Sequence, residues 1–191
     1  MQLILASQSP RRKELLGLLG LPFSVKVADI DETMDPGKSA AEEVARVSRA
    51  KAEAIAAPAD AVVIAADTIV VLDGRVLGKP ADEAEAVRML TGLSGKAHQV
   101  MTGVTVRRGS RVITHTEITE VYFRPLSEKE IAGYVASGEP MDKAGAYGIQ
   151  GGAALFAEKL VGDYYNVMGL PVCRLWQMLG NIAPECMEDD Q

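Results

Sequence analysis

Hydrophobic and polar positions along the chain switch between strand-like runs and helical repeats. A short apolar run at residues 3–6 is followed by leucines at helical spacing as far as Gly20, which predicts a strand, a loop and a helix. The nearly continuous apolar run at residues 61–72 predicts a buried strand, interrupted only by Asp67-Thr68. The pair Asp73-Gly74 after it predicts a hairpin turn into a second, shorter strand.

Further along the chain, capping signals and alternating patterns predict the remaining elements. A Ser or Asp followed three residues later by Glu marks helix starts at Ser39, Asp82 and Ser127. These helices are expected to reach about residues 57, 93 and 137, and a last helix is expected at about 170–179. Apolar and polar residues alternate at 98–106 and at 112–123, which predicts two antiparallel strands. Because strands and helices do not alternate as regular βαβ units, we predict a mixed sheet in an α/β (α+β) fold.

The length of 191 residues and a hydrophobic content of 48% indicate one globular domain, which we place at residues 1–183. An acidic tail at 184–191 is expected to be disordered. The net charge of −6 argues against a nucleic-acid-binding surface, and we expect neither a signal peptide nor a membrane span, hence a cytoplasmic protein. We interpret Cys173 as a packed core residue and Cys186 as part of the tail.

The first candidate site is the start of the first helix, where Ser9 is the expected N-cap and Pro10 the first helical residue. Arg11, Arg12 and Lys13 then fall in the first turn, where the helix dipole is already positive. With Ser7 and Ser9 and the free backbone N–H groups, these cations could bind a polyphosphate. The alternative is that the three side chains point into water or pair with acidic neighbours.

The second candidate is Asp67, a carboxylate within an apolar strand. Because an unpaired buried charge is costly, Asp67 must be paired, bind metal, or face a cleft at a strand end. Beside a metal it could activate water. The alternative is a structural carboxylate that bonds a backbone turn.

Weaker signals come from acidic residues and lysines. The segment containing Asp29, Asp31, Glu32 and Asp35 offers oxygen ligands for Mg²⁺, although a solvated acidic loop fits the same pattern. Lys51 and Lys79 are possible phosphate ligands, while surface lysines are the ordinary alternative.

The glycine-rich segment 142–152 is expected to be a loop whose glycines let the backbone approach a ligand closely. Gln150 within it offers a donor and an acceptor for reading a base edge. No G-x-G-x-x-G or Walker A loop is present. We interpret His98 and His115 as structural or surface histidines.

Taken in order, several of these segments resemble the Maf family of nucleotide pyrophosphatases. The segments are 3–12 (LILASQSPRR), 66–68 (ADT), 78–80 (GKP), 94–95 (SG) with His98, and 142–151 (DKAGAYGIQG). The resemblance spans residues 3 to about 172. It implies a fold similar to the inosine triphosphate pyrophosphatases, in which a long mixed sheet is flanked by helices and a central nucleotide cleft lies between two lobes, and it implies a homodimer.

The resemblance also implies a reaction. A nucleoside triphosphate would be cut between its α- and β-phosphates, with Asp67 accepting a proton from the attacking water. The residues implied to hold the triphosphate are Ser7, Ser9, Arg12, Lys51 and Lys79. Glu32 and Asp67 are the implied contacts of a divalent metal cation, which would be Mg²⁺, Mn²⁺ or Co²⁺.

Three positions separate the branches of this family. Arg11, Thr68 and Gln150 match the dTTP/UTP branch, whereas the branch resembling 7-methyl-GTP pyrophosphatases carries an aromatic residue, Gln and Glu there. A glutamine amide can meet the mixed donor and acceptor edge of uracil or thymine. The predicted substrates are therefore dTTP, UTP and modified pyrimidine nucleotides. Alternatives are a non-catalytic nucleotide-binding regulator of cell division, or a house-cleaning hydrolase of 7-methyl-GTP or ITP.

Overall fold

The protein is described by a computed structural model that covers residues 2–27, 29–35 and 37–187. The chain forms two compact units. Unit 1 comprises Met1–Asp67, Thr102–Glu117 and Gly169–Gln191, and unit 2 comprises Thr68–Met101 and Ile118–Met168. None of the helices in the described ranges is both long enough and apolar enough to cross a membrane.

Strands and helices follow one another along the whole chain. The strands are β1 (Leu3–Leu5), β2 (Phe23–Val25), β3 (Val62–Leu72), β4 (Arg75–Leu77), β5 (Ala97–Arg108), β6 (Arg111–Phe123) and β7 (Ala157–Val161). The α-helices are α1 (Pro10–Gly17), α2 (Ala40–Ala54), α3 (Glu83–Leu93), α4 (Glu128–Ala136), α5 (Tyr164–Met168) and α6 (Val172–Ile182). Short 3-10 helices lie at Glu139–Asp142, Ala144–Ala146, Gly152–Leu155 and Pro184–Met187.

The strands of the described ranges form one seven-stranded mixed sheet in the order β2-β1-β3-β5-β6-β7, with β4 paired to β3 alone. Strand β1 runs parallel to both β2 and β3, whereas β4 is antiparallel to β3 and β7 is antiparallel to β6. The predicted mixed α/β fold is therefore confirmed. The three capping residues predicted from the sequence, Ser39, Asp82 and Ser127, are the N-caps of α2, α3 and α4.

Strands β2 and β7 and helix α5 are not among the elements predicted from the sequence. Strand β2 has three residues, all at least partly exposed, and β7 shows no regular alternation of buried and exposed positions. Both strands have one neighbour within the described sheet. Because a strand with little buried surface needs few apolar residues, its sequence carries little periodic signal.

The C-terminal residues differ from expectation in two ways. Of the tail predicted to be disordered from Pro184, the first four residues form a 3-10 helix, and residues 188–191 lie outside the described ranges. The interpretation of the two cysteines was wrong: Cys173 is exposed and Cys186 is buried. Cys186 is buried because the chain continues in this short helix beyond the end of α6.

Within unit 1, helix α2 lies directly on strand β5 at Gly103. A Cβ atom at this glycine would lie 2.6 Å from the carbonyl carbon of Val44 and 2.9 Å from the amide nitrogen of Ala45. Both atoms belong to the backbone of α2, which is less able to move aside than the end of a side chain. Gly103 therefore sets how closely α2, the helix that carries Lys51, approaches the sheet.

We expect Gly103→Ala to lower the free energy of unfolding by about 1–3 kcal/mol, because an added methyl group overpacks this contact. Urea denaturation of the variant and the wild type measures the change. Gly17→Ala is the matched control, since nothing lies within 4 Å of the Cβ position of this residue near the end of α1. Equal losses of stability in the two variants would contradict a close contact at Gly103.

Within unit 2, an aromatic cluster surrounds His98. The residue is 3% exposed, and its Nε2 lies 2.7 Å from the hydroxyl of Tyr147. Its ring meets Phe123 edge-on with centroids 4.9 Å apart. Burial lowers the pKa of His98 from 6.5 to about 4, so the imidazole is neutral at pH 7. This environment agrees with a structural role for His98.

In unit 1, the side chain of His115 is partly exposed, and its Nε2 lies 3.3 Å from Oε2 of Glu117.

The low pKa of His98 makes stability depend on pH. Between about pH 6.5 and 4 the unfolded chain binds a proton that the folded His98 does not, so the wild type loses stability as the pH falls through this range. The total loss from this residue is about 3 kcal/mol. We expect His98→Gln to lose less stability than the wild type between pH 7 and pH 4, as measured by denaturation at each pH.

The control for this experiment is His115→Gln, which replaces the partly exposed histidine and is measured over the same pH range. If His98→Gln and the wild type lose equal stability over the same pH range, His98 is not the group responsible.

Candidate active site

The N-terminus of helix α1 has the predicted geometry. The hydroxyl of Ser9 accepts a hydrogen bond from the backbone N–H of Arg12 at 3.4 Å, and Pro10 is the first helical residue. The hydroxyl of Ser7 in turn accepts from the backbone N–H of Ser9 at 3.2 Å. The first turn carries no acidic residue to offset its cations. The turn therefore presents hydroxyls, cations and the positive end of a helix dipole, the combination that binds anions.

The side chain of Arg12 is held within unit 1. Its Nε donates to the carbonyl oxygen of Gly169 at 2.8 Å, and Nη1 lies 3.5 Å from the hydroxyl of Ser7. Burial lowers the pKa of Arg12, and the nearby carboxylate of Asp67 opposes this shift. Because a guanidinium stays protonated in proteins, Arg12 is a fixed positive charge beside Asp67.

Asp67 lies on β3 directly after a fully buried apolar stretch, and it is paired. Its Oδ1 accepts a hydrogen bond from the ammonium of Lys51 at 2.8 Å, and the same ammonium lies 2.9 Å from Oε1 of Glu32. The side chains of Lys51 and Asp67 are 12% and 13% exposed, whereas Glu32 is 55% exposed. One ammonium thus joins two carboxylates, one largely buried and one accessible to solvent.

The segment that carries Glu32 is attached to helix α2 by Glu43 and Arg46. Glu43 is 1% exposed and accepts the backbone N–H of Asp35 at 2.9 Å. Arg46 lies 2.9 Å from Glu43 and donates to the carbonyl oxygen of Thr33 at 2.8 Å. The Arg46 contact is the main cause of a lowered pKa at Glu43. Helix α2 therefore carries Lys51 and also fixes the segment around its partner.

The other carboxylates of the acidic segment have different roles. Asp31 accepts the backbone N–H of Thr33, and Asp35 accepts that of Gly37, both at 2.8 Å. These are side-chain turns that shape the loop. Asp29 is exposed. Of the four acidic residues considered as metal ligands, Glu32 is the one that meets Lys51.

No group of three or more His, Cys, Asp or Glu side chains within the described ranges is arranged to hold a metal ion by itself. Mg²⁺, however, is commonly bound by one or two carboxylates together with substrate phosphates. Glu32 and Asp67 supply carboxylate oxygens, while Lys51 and Arg12 together offset their two negative charges. The oxygen donors therefore fit a hard divalent cation that arrives together with a negatively charged phosphate.

Unit 1 therefore brings together six of the predicted site residues, namely Ser7, Ser9, Arg12, Glu32, Lys51 and Asp67. Arg11 is partly buried in the first turn of α1. Sequence reasoning did not identify Glu43, Arg46 or Gly169. A Glu and an Arg three residues apart on one predicted helix are a usable signal for the pair of Glu43 and Arg46. The contact of Arg12 with the Gly169 carbonyl has no local sequence signal.

The other predicted site residues belong to unit 2. Thr68 is partly buried on β3, Lys79 is exposed after β4, and Gln150 is exposed in the glycine-rich segment. A backbone hydrogen bond of 3.0 Å from the N–H of Gly145 to the carbonyl oxygen of Gly78 joins the segments that carry Lys79 and Gln150. Two of the segments that carry the resemblance therefore meet within unit 2.

The glycines of this loop lie against other protein groups. Gly145 has a φ of +69°, and a Cβ there would lie 2.9 Å from Cγ2 of Val70. At Gly151 an added Cβ would lie 2.6 Å from the carboxyl carbon of Glu139. At Gly145 and Gly151 the structure shows close approach to side chains of the same unit, and the predicted close approach to a ligand stays a prediction.

Comparison with solved structures gives the fold. The HAM1 protein from Coxiella burnetii is similar over 95% of this chain and 99% of that chain, with a TM-score of 0.50 and 17% sequence identity. This similarity agrees with the predicted mixed α/β fold.

Comparison of sequences gives the family. The chain is 56% identical to a dTTP/UTP pyrophosphatase of Symbiobacterium thermophilum, over 93% of this chain and 92% of that protein. It is 51% identical to a dTTP/UTP pyrophosphatase of Pectobacterium atrosepticum, over 95% and 93% of the two chains. The family model described as "Maf-like protein" matches residues 2–182. By this match and these identities, the chain belongs to the Maf-like protein family.

Proposed function

We propose that this protein is a nucleoside triphosphate pyrophosphatase that hydrolyses dTTP and UTP to the nucleoside monophosphate and pyrophosphate. The relatives at 50–56% identity that are named dTTP/UTP pyrophosphatases support the reaction and the substrates. The observation that carries the proposal is the cluster of Asp67, Lys51 and Glu32 beside the N-terminus of α1. It combines a carboxylate that can accept a proton with groups that bind phosphate.

Asp67 is the proposed general base for the attacking water. Its Oδ1 is oriented by Lys51 at 2.8 Å, and the apolar residues that precede it on β3 are buried. The ammonium of Lys51 offsets the cost of placing a carboxylate in this apolar setting. A proton acceptor near the reacting phosphorus assists the attack of water, and a carboxylate held by Lys51 is better placed for this than a mobile surface residue.

The cationic groups of the site suit the leaving pyrophosphate. Arg12 is held by Gly169 and Ser7, so it loses little side-chain freedom when it binds an anion. The hydroxyls of Ser7 and Ser9, together with Lys51 and Lys79, complete the proposed triphosphate ligands. Preorganised positive charge lowers the barrier most when it faces the charge that develops in the transition state.

A divalent cation, Mg²⁺, Mn²⁺ or Co²⁺, fits the two carboxylates of Glu32 and Asp67, which we propose as its protein ligands. When bound, such a cation supplies positive charge to the phosphate oxygens. The contact of Lys51 with Glu32, at 2.9 Å, would hold the Glu32 carboxylate in place for the cation.

Arg11, Thr68 and Gln150 are the proposed specificity residues, on the basis of the match to the dTTP/UTP branch. The amide of Gln150 has one acceptor and two donor positions, which suits the edge of uracil and thymine. We further propose that the protein is cytoplasmic, where its nucleotide substrates are found, and acts as a homodimer. Modified pyrimidine nucleotides remain predicted substrates.

The first test is hydrolysis of a panel of dTTP, UTP, CTP, GTP, 7-methyl-GTP and ITP by the purified protein with Mg²⁺, with products separated by chromatography. We expect dTMP and UMP to appear with pyrophosphate, and little product from the other nucleotides. Preferred hydrolysis of 7-methyl-GTP or ITP would contradict the assigned substrates. Binding without turnover of every nucleotide would instead indicate a nucleotide-binding regulator.

The second test concerns Asp67. We expect Asp67→Asn to lower kcat for dTTP by about 10²–10⁴-fold, the usual contribution of a general base, while thermal unfolding shows that the variant is folded. Asp73→Asn is the matched control, because this carboxylate is exposed in the turn between β3 and β4 and asparagine tolerates its positive φ of 49°. Near wild-type kcat in Asp67→Asn would remove Asp67 from the mechanism.

A further inference from the structure

In unit 2, the carboxylate of Glu139 lies against the loop that carries Gln150. One of its oxygens accepts the hydroxyl proton of Tyr134 at 2.9 Å, and the other accepts the backbone N–H of Gly152 at 3.0 Å. The hydroxyl of Tyr134 also accepts the backbone N–H of Gly148 at 3.0 Å. The loop is therefore tied down two residues before and two residues after Gln150.

The glycines of this loop are adapted to Glu139. A Cβ at Gly151 would meet the carboxyl group of Glu139, and one at Gly152 would lie 3.2 Å from the ring of Tyr134. At Gly148 it would lie 2.6 Å from Cε of Lys143 and 3.2 Å from Oε1 of Glu139. Glycine at these three positions thus leaves the space that the Tyr134–Glu139 pair occupies.

The pair itself is held firmly. The Tyr134 ring packs edge-on against Phe156 with centroids 5.1 Å apart, and Lys143 donates to the backbone carbonyl of Glu139 at 2.6 Å. Burial raises the pKa of Tyr134, so its hydroxyl keeps the proton that it donates to Glu139. Gln150 itself is exposed, which leaves its amide available to a ligand while its neighbours are fixed.

We propose that Tyr134 and Glu139 are positioning residues for base specificity, which hold the backbone on both sides of Gln150 so that its amide meets the pyrimidine edge. The inference rests on the proposed function, because it assumes that Gln150 reads the base. Tyr134, Glu139 and Gln150 all belong to unit 2, whereas Asp67, Lys51 and Glu32 belong to unit 1. A change at Glu139 should therefore alter base recognition and spare the chemical step.

The test uses Glu139→Gln, which retains the size of the side chain but replaces one acceptor oxygen with an amide that donates. With its oxygen toward the Gly152 N–H, the amide of this variant would donate to the Tyr134 hydroxyl, so both contacts can persist but without the charged acceptor. We expect kcat/KM for dTTP to fall about tenfold, through a higher KM, since two hydrogen bonds to a charged group become hydrogen bonds to a neutral one. The preference for dTTP over GTP should fall with it, while kcat should change by less than about threefold.

Inorganic tripolyphosphate, used as a competitive inhibitor, distinguishes loss of base positioning from general structural damage. General damage would change its inhibition constant. Tripolyphosphate has phosphates but no base, so its inhibition constant reports on the phosphate site alone. We expect this constant to stay within about twofold of the wild-type value in Glu139→Gln, because only base binding is weakened. Glu158→Gln, at an exposed carboxylate of the same unit on β7, is the matched control and should leave all of these values unchanged.

Tyr134→Phe is the second variant, and it keeps the ring contact with Phe156 while removing the hydroxyl that joins Gly148 to Glu139. It should reproduce the shift in dTTP preference, and it keeps the test available if Glu139→Gln does not fold. Unchanged preference in the folded variants would overturn the inference. Parallel loss of kcat and of tripolyphosphate inhibition would also overturn it, because the damage would then be general.

Gln150→Glu separates this inference from the assumption beneath it. If Gln150→Glu alters the dTTP preference and Glu139→Gln does not, the positioning role alone is refuted. If neither alters it, base reading by Gln150 is refuted together with the inference. Wild-type hydrolysis of the nucleotide panel reports on the proposed function independently of both variants.

Discussion

An ionised carboxylate can lie beside a buried apolar strand only if a cation is held next to it. In this protein that requirement is met by Lys51, whose ammonium contacts both Asp67 and Glu32. Helix α2 must therefore lie close enough to β5 for Lys51 to reach Asp67, and Gly103 permits this close packing. The proposed base, the proposed metal ligands and part of the phosphate site all depend on these two ion pairs of Lys51.

How far the sequence predicts this arrangement differs from residue to residue. The apolar run around Asp67 indicates that its charge needs a partner, and the motif at Ser9 and Pro10 fixes the start of α1. The identity of the partner is not readable, because Lys51 and Asp67 are 16 residues apart and on different elements. Arg12 is a similar case, since it donates to the Gly169 carbonyl, 157 residues away. Local propensity predicts elements and caps, but it does not predict such tertiary contacts.

The glycine-rich loop shows a different limit of sequence reasoning. Glycines signal that something approaches the backbone closely, and the signal is correct at Gly145 and Gly151. The sequence does not say whether a ligand or another part of the chain makes the approach. Here Val70 and Glu139 occupy that space. The loop is consequently shaped before any nucleotide arrives, which reduces the conformational entropy that binding must otherwise remove.

The attachment of the acidic segment to helix α2 has a mechanical consequence. Thr33 and Asp35 are bonded to Arg46 and Glu43 on the helix that also carries Lys51. A small sliding or rotation of this helix would therefore move Glu32 and Lys51 together, and the distance between them would change little. The distance from Lys51 to Asp67 would change more, because Asp67 lies on the sheet.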